Sequence, residues 1–275
     1  MGAASKSFIY LVLPVLALCL SSLLSANSVQ ELWEITQLAK HGMFDAHPTA
    51  QGHKCTHEYT VEILSFDPAV IYLNNFKEHE IEHLLNITKN EFEQSWVYDN
   101  DLKSVIDKNY RTSSSATLPW DDPVALCLSD RMKSFLGNIQ HIDVEPLQIV
   151  KFEGGERFRL HMDWFRETRN QTYVEERRFR PYNRLDSIFV YLEGNCSGGQ
   201  TYFPDIKGVS ASADGEKFAR TDKGTGLLVK PKRGNAVFWN NMLPNGTGDP
   251  RVLHAGFSVK SGIKIGMNTF SYYYS

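Results

Sequence analysis

The sequence has little of several features that would mark a specialised class of protein. Its 275 residues include only 4 cysteines, and 29 Lys and Arg residues nearly balance 32 Asp and Glu residues, giving a net charge of −3. This balance excludes a generally basic nucleic-acid-binding surface. No CxxC or paired Cys/His spacing indicates zinc, and no glycine-rich loop before a Lys-Ser or Lys-Thr helix start indicates a phosphate site. What remains is the composition of an ordinary globular protein, 42% apolar and 22% charged.

One long hydrophobic run is present, near the N-terminus. Residues Phe8–Ala26 carry no charge, and as a helix they would be roughly 28 Å long, close to the thickness of a bilayer's hydrocarbon core. We interpret residues 1–28 as a signal peptide or N-terminal membrane anchor, 29–57 as a stem helix and linker, and 58–275 as the functional domain. The small residues Ala26 and Ser28 suit cleavage, whereas the length of the run suits an anchor.

Either interpretation predicts a domain in the endoplasmic reticulum lumen or secretory pathway, as a single-pass type II membrane protein if the leader is retained. Four glycosylation sequons agree with this location; they begin at Asn86, Asn170, Asn195 and Asn245. Outside the leader the cysteines are Cys55, Cys127 and Cys196. They allow three alternative single bridges, and the sequence does not choose among them.

Helical patterns precede β-rich ones along the chain. We predict a helix from about Lys77 to Ile87 and another over Pro123–Leu136, with Pro123 in the first turn. After Pro146, six short β-rich runs are separated by Gly, Pro and Asn; these are Leu147–Phe152, Ser187–Leu192, Gly226–Val229, Ala236–Trp239, Val252–Val259 and Ile263–Phe270. The order predicts a mainly β, α+β fold, namely a sandwich or barrel with a helical buttress. Two polar insertions, Arg166–Arg184 and Asp205–Gly224, are predicted to be loops facing a substrate.

The candidate chemistry begins with His161-Met162-Asp163. In a strand, residues i and i+2 share a face, so the imidazole and the carboxylate would converge; the alternative is a surface histidine beside a solvated aspartate. His254 on another strand would complete a two-histidine, one-carboxylate set, which suits non-haem Fe(II). Lys264 follows ten residues later and would neutralise the far carboxylate of a dicarboxylate co-substrate, unless it is simply a solvated strand residue.

Taken jointly, these residues resemble the prolyl 4-hydroxylase branch of the Fe(II)/2-oxoglutarate dioxygenases. The resemblance covers roughly Glu62 to Phe270 and includes the segments Arg111–Ser114, Arg184–Leu192 and Gly198–Pro204. It implies a double-stranded β-helix (jelly-roll) core. It also implies Fe(II), 2-oxoglutarate, O2 and L-ascorbate as cofactors.

The resemblance assigns the central site residue by residue. His161, Asp163 and His254 would be the metal ligands and the catalytic residues. Lys264 would pair with the far carboxylate of 2-oxoglutarate, and Thr201 would donate a hydrogen bond near it. All three ligand positions and the lysine of the family pattern are therefore present in this sequence.

Around that centre the sequence departs from the family. Arg184 matches an arginine at the substrate entrance, but Phe152 in the co-substrate site and Phe158 near the substrate stand where the family has tyrosine. Phe270 stands where a tryptophan is common in the co-substrate pocket, and Tyr272 where a histidine is usual. A lost hydrogen bond costs only about 1 kcal/mol net, so these changes bear on substrate identity more than on iron or 2-oxoglutarate binding.

The expected activity is hydroxylation of prolyl residues in secretory-pathway proteins or peptides. A second hypothesis keeps the same chemistry on a small molecule or natural-product peptide, and a third is a non-catalytic β-sandwich that binds carbohydrate or protein. The expected partners are thus peptidyl-proline or a small molecule, with no nucleic acid, and a membrane if the N-terminal segment is retained. The sequence does not predict the oligomeric state.

Overall fold

The computed structural model describes residues 55, 57–98, 104–139, 142–173, 178–207, 215–221 and 224–274. The predicted leader (1–28), almost all of the stem and linker (29–57) and the helix expected over Ser28–Gly42 lie outside these residues, so the domain boundaries stay predictions. Within the described part of the chain, no helix is long and apolar enough to span a bilayer.

The described chain contains two α-helices, α1 (Glu78–Thr88) and α2 (Pro123–Phe135), and a 3-10 turn at Pro250–Val252. The first ten strands are β1 (Thr60–Phe66), β2 (Ala69–Asn74), β3 (Glu93–Gln94), β4 (Val97–Tyr98), β5 (Ser104–Val105), β6 (Ser114–Thr117), β7 (Ile142–Val144), β8 (Gln148–Phe152), β9 (Phe158–His161) and β10 (Arg169–Tyr173). The remaining strands are β11 (Arg178–Glu193), β12 (Cys196–Gly198), β13 (Thr201–Phe203), β14 (Phe218–Ala219), β15 (Leu227–Val229), β16 (Asn235–Asn240), β17 (His254–Gly256), β18 (Val259–Gly262) and β19 (Lys264–Tyr274).

Two antiparallel sheets pack face to face. The major sheet of the described chain has ten strands in the order β1-β2-β16-β11-β19-β8-β6-β3, with β10 added to β11 and β7 to β19. The minor sheet has the order β14-β15-β13-β17-β9. Phe203 and Leu227 of the minor sheet lie in one buried cluster with Val237 and Trp239 of the major sheet, so the core lies between the sheets. This arrangement confirms the predicted jelly roll with flanking helices.

The major sheet is buried on both faces. On β16, Val237 and Trp239 point towards the minor sheet, while Ala236 and Phe238 belong to the cluster covered by α1 and α2. Each fully buried large apolar side chain contributes roughly 1.5–3 kcal/mol. Burial on both faces is why these strands read as continuous apolar runs rather than as alternating ones.

The residues at the N-terminus of α2 explain where this helix begins. The Asp122 carboxylate accepts hydrogen bonds from the amides of Val124 and Ala125, and Pro123 occupies the first turn of α2. Both helices occur where the sequence predicts them, within one or two residues at each end.

A disulfide ties the start of the described chain to α2. Cys55 is bonded to Cys127, which resolves the pairing that the sequence left open, and Cys196 is the free thiol among the three described cysteines. Arg131 reinforces the same seam, because its Nε donates to the Cys55 carbonyl (2.8 Å) and its Nη1 donates to Glu80 of α1 (2.8 Å).

Two predictions about the order of elements are wrong. The hairpin β1–β2 precedes both helices, so strands do not simply follow helices. The predicted strand Val252–Val259 is not one strand: Val252 ends the 3-10 turn, β17 pairs with β13, and the chain then changes partner to pair with β12 as β18.

The insertion Arg166–Arg184 is also not a loop for most of its length. Residues Arg169–Tyr173 form β10, which pairs with Arg178–Tyr182 at the start of β11. Backbone pairing in such a ribbon requires no apolar face, so its polar sequence resembled a loop. The other insertion, Asp205–Gly224, contains the short strand β14, and residues 208–214, 222 and 223 lie outside the description.

One buried acid in this core lacks full pairing. Asp186 on β11 is 1% exposed, and its Oδ2 accepts a hydrogen bond from the Ser271 hydroxyl (2.6 Å). Its Oδ1 is buried without a hydrogen-bond partner. Burial raises the pKa of this carboxyl to about 7, whereas an unfolded aspartate titrates near about 3.9.

We expect Asp186→Asn to stabilise the protein at neutral pH and to have much less effect near pH 4. The folded protein holds a proton that the unfolded chain has released between these pKa values, so wild-type stability falls as pH rises through this window and stays low above it. Chemical unfolding from pH 4 to pH 8 measures the effect, with the exposed Asp205→Asn as control. A gain that does not depend on pH would refute this assignment.

Candidate active site

The site is built on the pairing of β9 with β17, which places His254 directly opposite His161. The two imidazole centroids are 4.3 Å apart. Each Nδ1 lies against a backbone carbonyl, that of Arg159 for His161 (2.7 Å) and that of Val252 for His254 (2.9 Å). Because a carbonyl can only accept, each Nδ1 carries the hydrogen and each Nε2 presents its lone pair.

Asp163 faces both lone pairs. Its Oδ1 is 3.6 Å from Nε2 of His161 and its Oδ2 is 3.6 Å from Nε2 of His254. The candidate ligand atoms of the three residues all lie within 4.8 Å of one another. The predicted convergence is confirmed, but one detail is corrected: β9 ends at His161, and Asp163 reaches the site from the bend that follows.

The electrostatics suit a metal ion. Burial lowers the pKa of His161 to about 3, so its ring is neutral and can act as a ligand. Burial alone would raise the pKa of Asp163, but His254, His161, Arg184 and a hydrogen bond from Ser187 together lower it. Two imidazoles and one carboxylate, held on one side of a cavity, are the donor set that fits Fe(II).

A polar pair behind Asp163 fixes its orientation. The Ser187 hydroxyl donates to Oδ2 of Asp163 (2.8 Å) and accepts a hydrogen bond from Nδ2 of Asn241 (2.9 Å). All three residues are buried. Sequence reasoning missed Ser187 and Asn241, although the alternation of β11 places Ser187 on the same face as Phe189 and Tyr191 and could have revealed it.

Lys264 supplies an isolated buried cation. It pairs in register with Phe152 across β19 and β8 and is 2% exposed. Its ammonium lies 5.2 Å from the Phe152 ring, 4.8 Å from that of Phe189 and 5.6 Å from that of Tyr191. Burial lowers its pKa to about 7, and no carboxylate of the described residues contributes to that shift. A carboxylate ligand would therefore complete this site.

Thr201 connects the cation to the metal-binding residues. It pairs with Gly256 on β17, two residues beyond His254, and is 5% exposed. Thr201, Lys264 and Phe152 line the same cavity as His161, Asp163 and His254, and its volume is about 1140 Å³. These six residues, all predicted from the sequence as site residues, thus line one connected cavity.

Gly199 explains part of the Gly198–Pro204 segment. Its φ is +69°, which favours glycine, and a Cβ there would lie 3.3 Å from Cδ of Lys264 and 3.2 Å from Cγ2 of Val259. The missing side chain leaves room for the lysine stem beneath this turn.

The two predicted substrate residues lie in different parts of the cavity: Arg184 lies beside Glu145 and Phe270, and Phe158 lies against a candidate metal ligand. Arg184 donates from Nε and Nη2 to the two carboxylate oxygens of Glu145 (2.8 and 2.6 Å), and its guanidinium carbon lies 3.7 Å from the centroid of the Phe270 ring. Phe158 stacks on His161 with 3.6 Å between ring centroids. Phe270 is six residues from Lys264 on one strand, roughly 20 Å away, so its role in co-substrate binding stays a prediction. Sequence reasoning missed Glu145.

Comparison with known proteins agrees with this geometry. No family profile matches the chain. It is 32% identical over 211 residues to probable prolyl 4-hydroxylase 10 of Arabidopsis thaliana, which covers 75% of this chain and 70% of that protein. Prolyl 4-hydroxylase 5 of the same plant is 31% identical over 210 residues, covering 75% and 69%. The chain belongs to the prolyl 4-hydroxylase family.

Solved structures show the same fold. The viral collagen prolyl hydroxylase of Paramecium bursaria Chlorella virus-1, crystallised with 2-oxoglutarate, aligns with a TM-score of 0.50 at 21% identity over 74% of this chain and 96% of that one. A truncated form aligns with a TM-score of 0.51 at 20% identity, covering 82% and 98%. These structures show the jelly-roll fold. Membership of the prolyl 4-hydroxylase family, together with the His161, Asp163 and His254 cluster, makes the protein a dioxygenase dependent on Fe(II) and 2-oxoglutarate.

We expect Ser187→Ala to weaken the binding of Fe(II) by roughly tenfold or more. The substitution removes the hydroxyl that donates to the Asp163 carboxylate and orients it. Anaerobic titration against a competing chelator measures this affinity directly. Ser261→Ala is the matched control, since it removes an exposed hydroxyl that bonds to Ser197 and lies outside any sequon. An unchanged metal affinity in Ser187→Ala would show that the hydrogen bond does not support the ligand.

Proposed function

We propose that this chain hydroxylates prolyl residues of peptides or proteins in the secretory pathway, with Fe(II), 2-oxoglutarate, O2 and L-ascorbate. The observation that carries the proposal is a single cavity. It contains a two-histidine, one-carboxylate cluster, the buried ammonium of Lys264 and, beyond them, an end lined by aromatic side chains. Membership of the prolyl 4-hydroxylase family supports the choice of substrate.

Different residues of the cavity would bind the metal and the co-substrate. His161, Asp163 and His254 would hold Fe(II), which with 2-oxoglutarate supplies the oxidising chemistry that places one oxygen atom of O2 on a C–H carbon. Lys264 would neutralise the far carboxylate of the co-substrate, and Thr201 would donate to it. The rings around the ammonium exclude water, which strengthens this ion pair.

The substrate end favours a peptide. Aromatic side chains line this end of the cavity. Arg184 donates hydrogen bonds to Glu145 there, and its guanidinium lies over the ring of Phe270. Extended proline-rich chains pack well on aromatic grooves, because a polyproline helix is ordered before it binds. The volume of about 1140 Å³ exceeds the range of roughly 300–1,000 Å³ typical of pockets for small molecules.

Incubation of the protein with proline-containing peptides, Fe(II), ascorbate and 2-oxoglutarate should add the mass of one oxygen atom to the peptide. One succinate should form for each oxygen added. Two controls are used. Peptides with alanine in place of proline should gain no oxygen, and proline-containing peptides should gain none when the His161→Ala enzyme replaces the wild type. Succinate formation without any change in the peptides would refute a prolyl substrate and would favour a small molecule.

We further propose that the protein works in the endoplasmic reticulum lumen, held there as a type II membrane protein if its leader is retained. The Cys55–Cys127 disulfide supports an oxidising compartment. The sequon residues Asn86, Asn195 and Asn245 are all exposed, which is compatible with glycan attachment.

Expression with the native leader in eukaryotic cells should yield a protein whose mobility increases after glycosidase treatment. Asn245→Gln should remove one glycan, because Asn245 lies in an exposed turn, whereas the exposed Asn90→Gln, outside any sequon, should change nothing. Extraction at alkaline pH then separates a retained anchor from a cleaved leader. Absence of glycans together with reactive thiols at Cys55 and Cys127 would contradict a lumenal location.

A further inference from the structure

The cavity carries more positive than negative charge. Among the described residues, five arginine and lysine side chains and three carboxylates line it. The cations are Arg111, Arg166, Arg169, Arg184 and Lys264, and the carboxylates are Glu145, Asp163 and Glu167. Fe(II) and 2-oxoglutarate carry equal and opposite charges, so the positive excess persists when both are bound. It is a local feature, because the whole chain has a net charge of −3.

Several of these charges are already assigned to the proposed reaction. Lys264 and Asp163 serve the co-substrate and the metal, and Arg184 forms an ion pair with Glu145 (2.6 Å). Arg169 is different, because it belongs to the ribbon that β10 forms with the start of β11 and reaches the cavity from there. Sequence reasoning took this segment for a loop and did not single out Arg169.

The residues around Arg169 fix its position. The side-chain amide of Asn183 holds the backbone of Phe165: its Oδ1 accepts from the Phe165 amide and its Nδ2 donates to the Phe165 carbonyl, both at 2.8 Å. The guanidinium carbon of Arg169 lies over the Phe165 ring, 4.0 Å from its centroid. A guanidinium held by its face on a ring presents its N–H groups at its edge, as a fork that matches a carboxylate.

Strand register places Arg169 on the side of the ribbon that continues the cavity. Arg169 is opposite Tyr182, which lies two residues before Arg184, and residues in this relation share a face. Arg180, two residues before Tyr182, lies on the same face. The positively charged side of the cavity therefore extends along the ribbon, away from the metal-binding residues.

We propose that Arg169 is a specificity-determining residue that binds an aspartate or glutamate side chain of the substrate, so that the preferred substrate is an acidic peptide around the target proline. The inference deepens the proposed function and rests on it. Tyr182, opposite Arg169, is five residues along β11 from Ser187, which supports Asp163; this is roughly 16 Å in an extended strand. A polyproline helix advances about 3.1 Å per residue, so the bound carboxylate lies within about five residues of the proline.

The test is the affinity for labelled proline peptides, measured by fluorescence anisotropy on the protein loaded with Mn(II) and 2-oxoglutarate. The peptides differ at a single position, which carries aspartate, asparagine or lysine and is moved stepwise away from the proline on either side. At one or two positions the wild type should bind the aspartate peptide about fivefold or more tightly than the asparagine peptide, as a hydrogen bond to a charged group would give. Added salt should reduce this difference.

Charge reversal separates recognition from a structural role. Arg169→Gln should bind the aspartate and asparagine peptides equally, and Arg169→Glu should prefer the lysine peptide at the same position, which a merely disturbed structure would not do. Arg220→Gln is the matched control and should keep the wild-type preference. It removes an exposed arginine that follows β14, at the opposite edge of the minor sheet from β9.

Equal affinity of the wild type for aspartate and asparagine peptides at every position, or a preference that persists in Arg169→Gln, would overturn the inference. Hydroxylation of the same peptides distinguishes its failure from that of the proposed function. If neutral and acidic proline peptides were bound and hydroxylated equally well, only the inference would fail. If acidic peptides bound through Arg169 but gained no oxygen, only the proposed function would fail, and if no peptide bound, both would fail.

Discussion

The pairing of β9 with β17 is the contact on which the chemistry depends. Neighbouring strands lie about 4.7–4.9 Å apart, so a register that sets His254 opposite His161 brings two imidazoles together without any long side chain having to reach. The backbone carbonyls that receive the Nδ1 hydrogens belong to residues two positions earlier in each chain segment. Local backbone geometry therefore decides both the distance between the ligands and the nitrogen that each one presents.

The major sheet contributes the rest of the site from its inner face. Along β11, Ser187 supports Asp163, Phe189 lies beside the Lys264 ammonium, and Tyr191 contacts Thr201. Two helices cover the outer face of this sheet. Functional groups held on strands that are packed on both sides keep their positions better than groups on loops.

Sequence reasoning succeeded where a signal was local or widely recognisable. It predicted α2 with Pro123 in its first turn, and it predicted that two histidines and a carboxylate would converge with Lys264 nearby, because each depends on residue type and spacing. It failed where long-range pairing decides the outcome. The Arg166–Arg184 segment looked like a loop because strands in a ribbon need no apolar face. Ser187 is an ordinary strand residue whose role depends on what lies across the sheet, and no spacing could choose among three cysteine pairings.

The Cys55–Cys127 bridge has a consequence for where the protein can be tagged. It fastens the beginning of the described chain to α2, which covers the outer face of the major sheet, whereas residues on the inner faces of both sheets line the cavity. The described chain thus begins on the helical face of the major sheet, opposite the candidate metal ligands. A tag joined directly before Cys55 would therefore be attached away from the active-site residues.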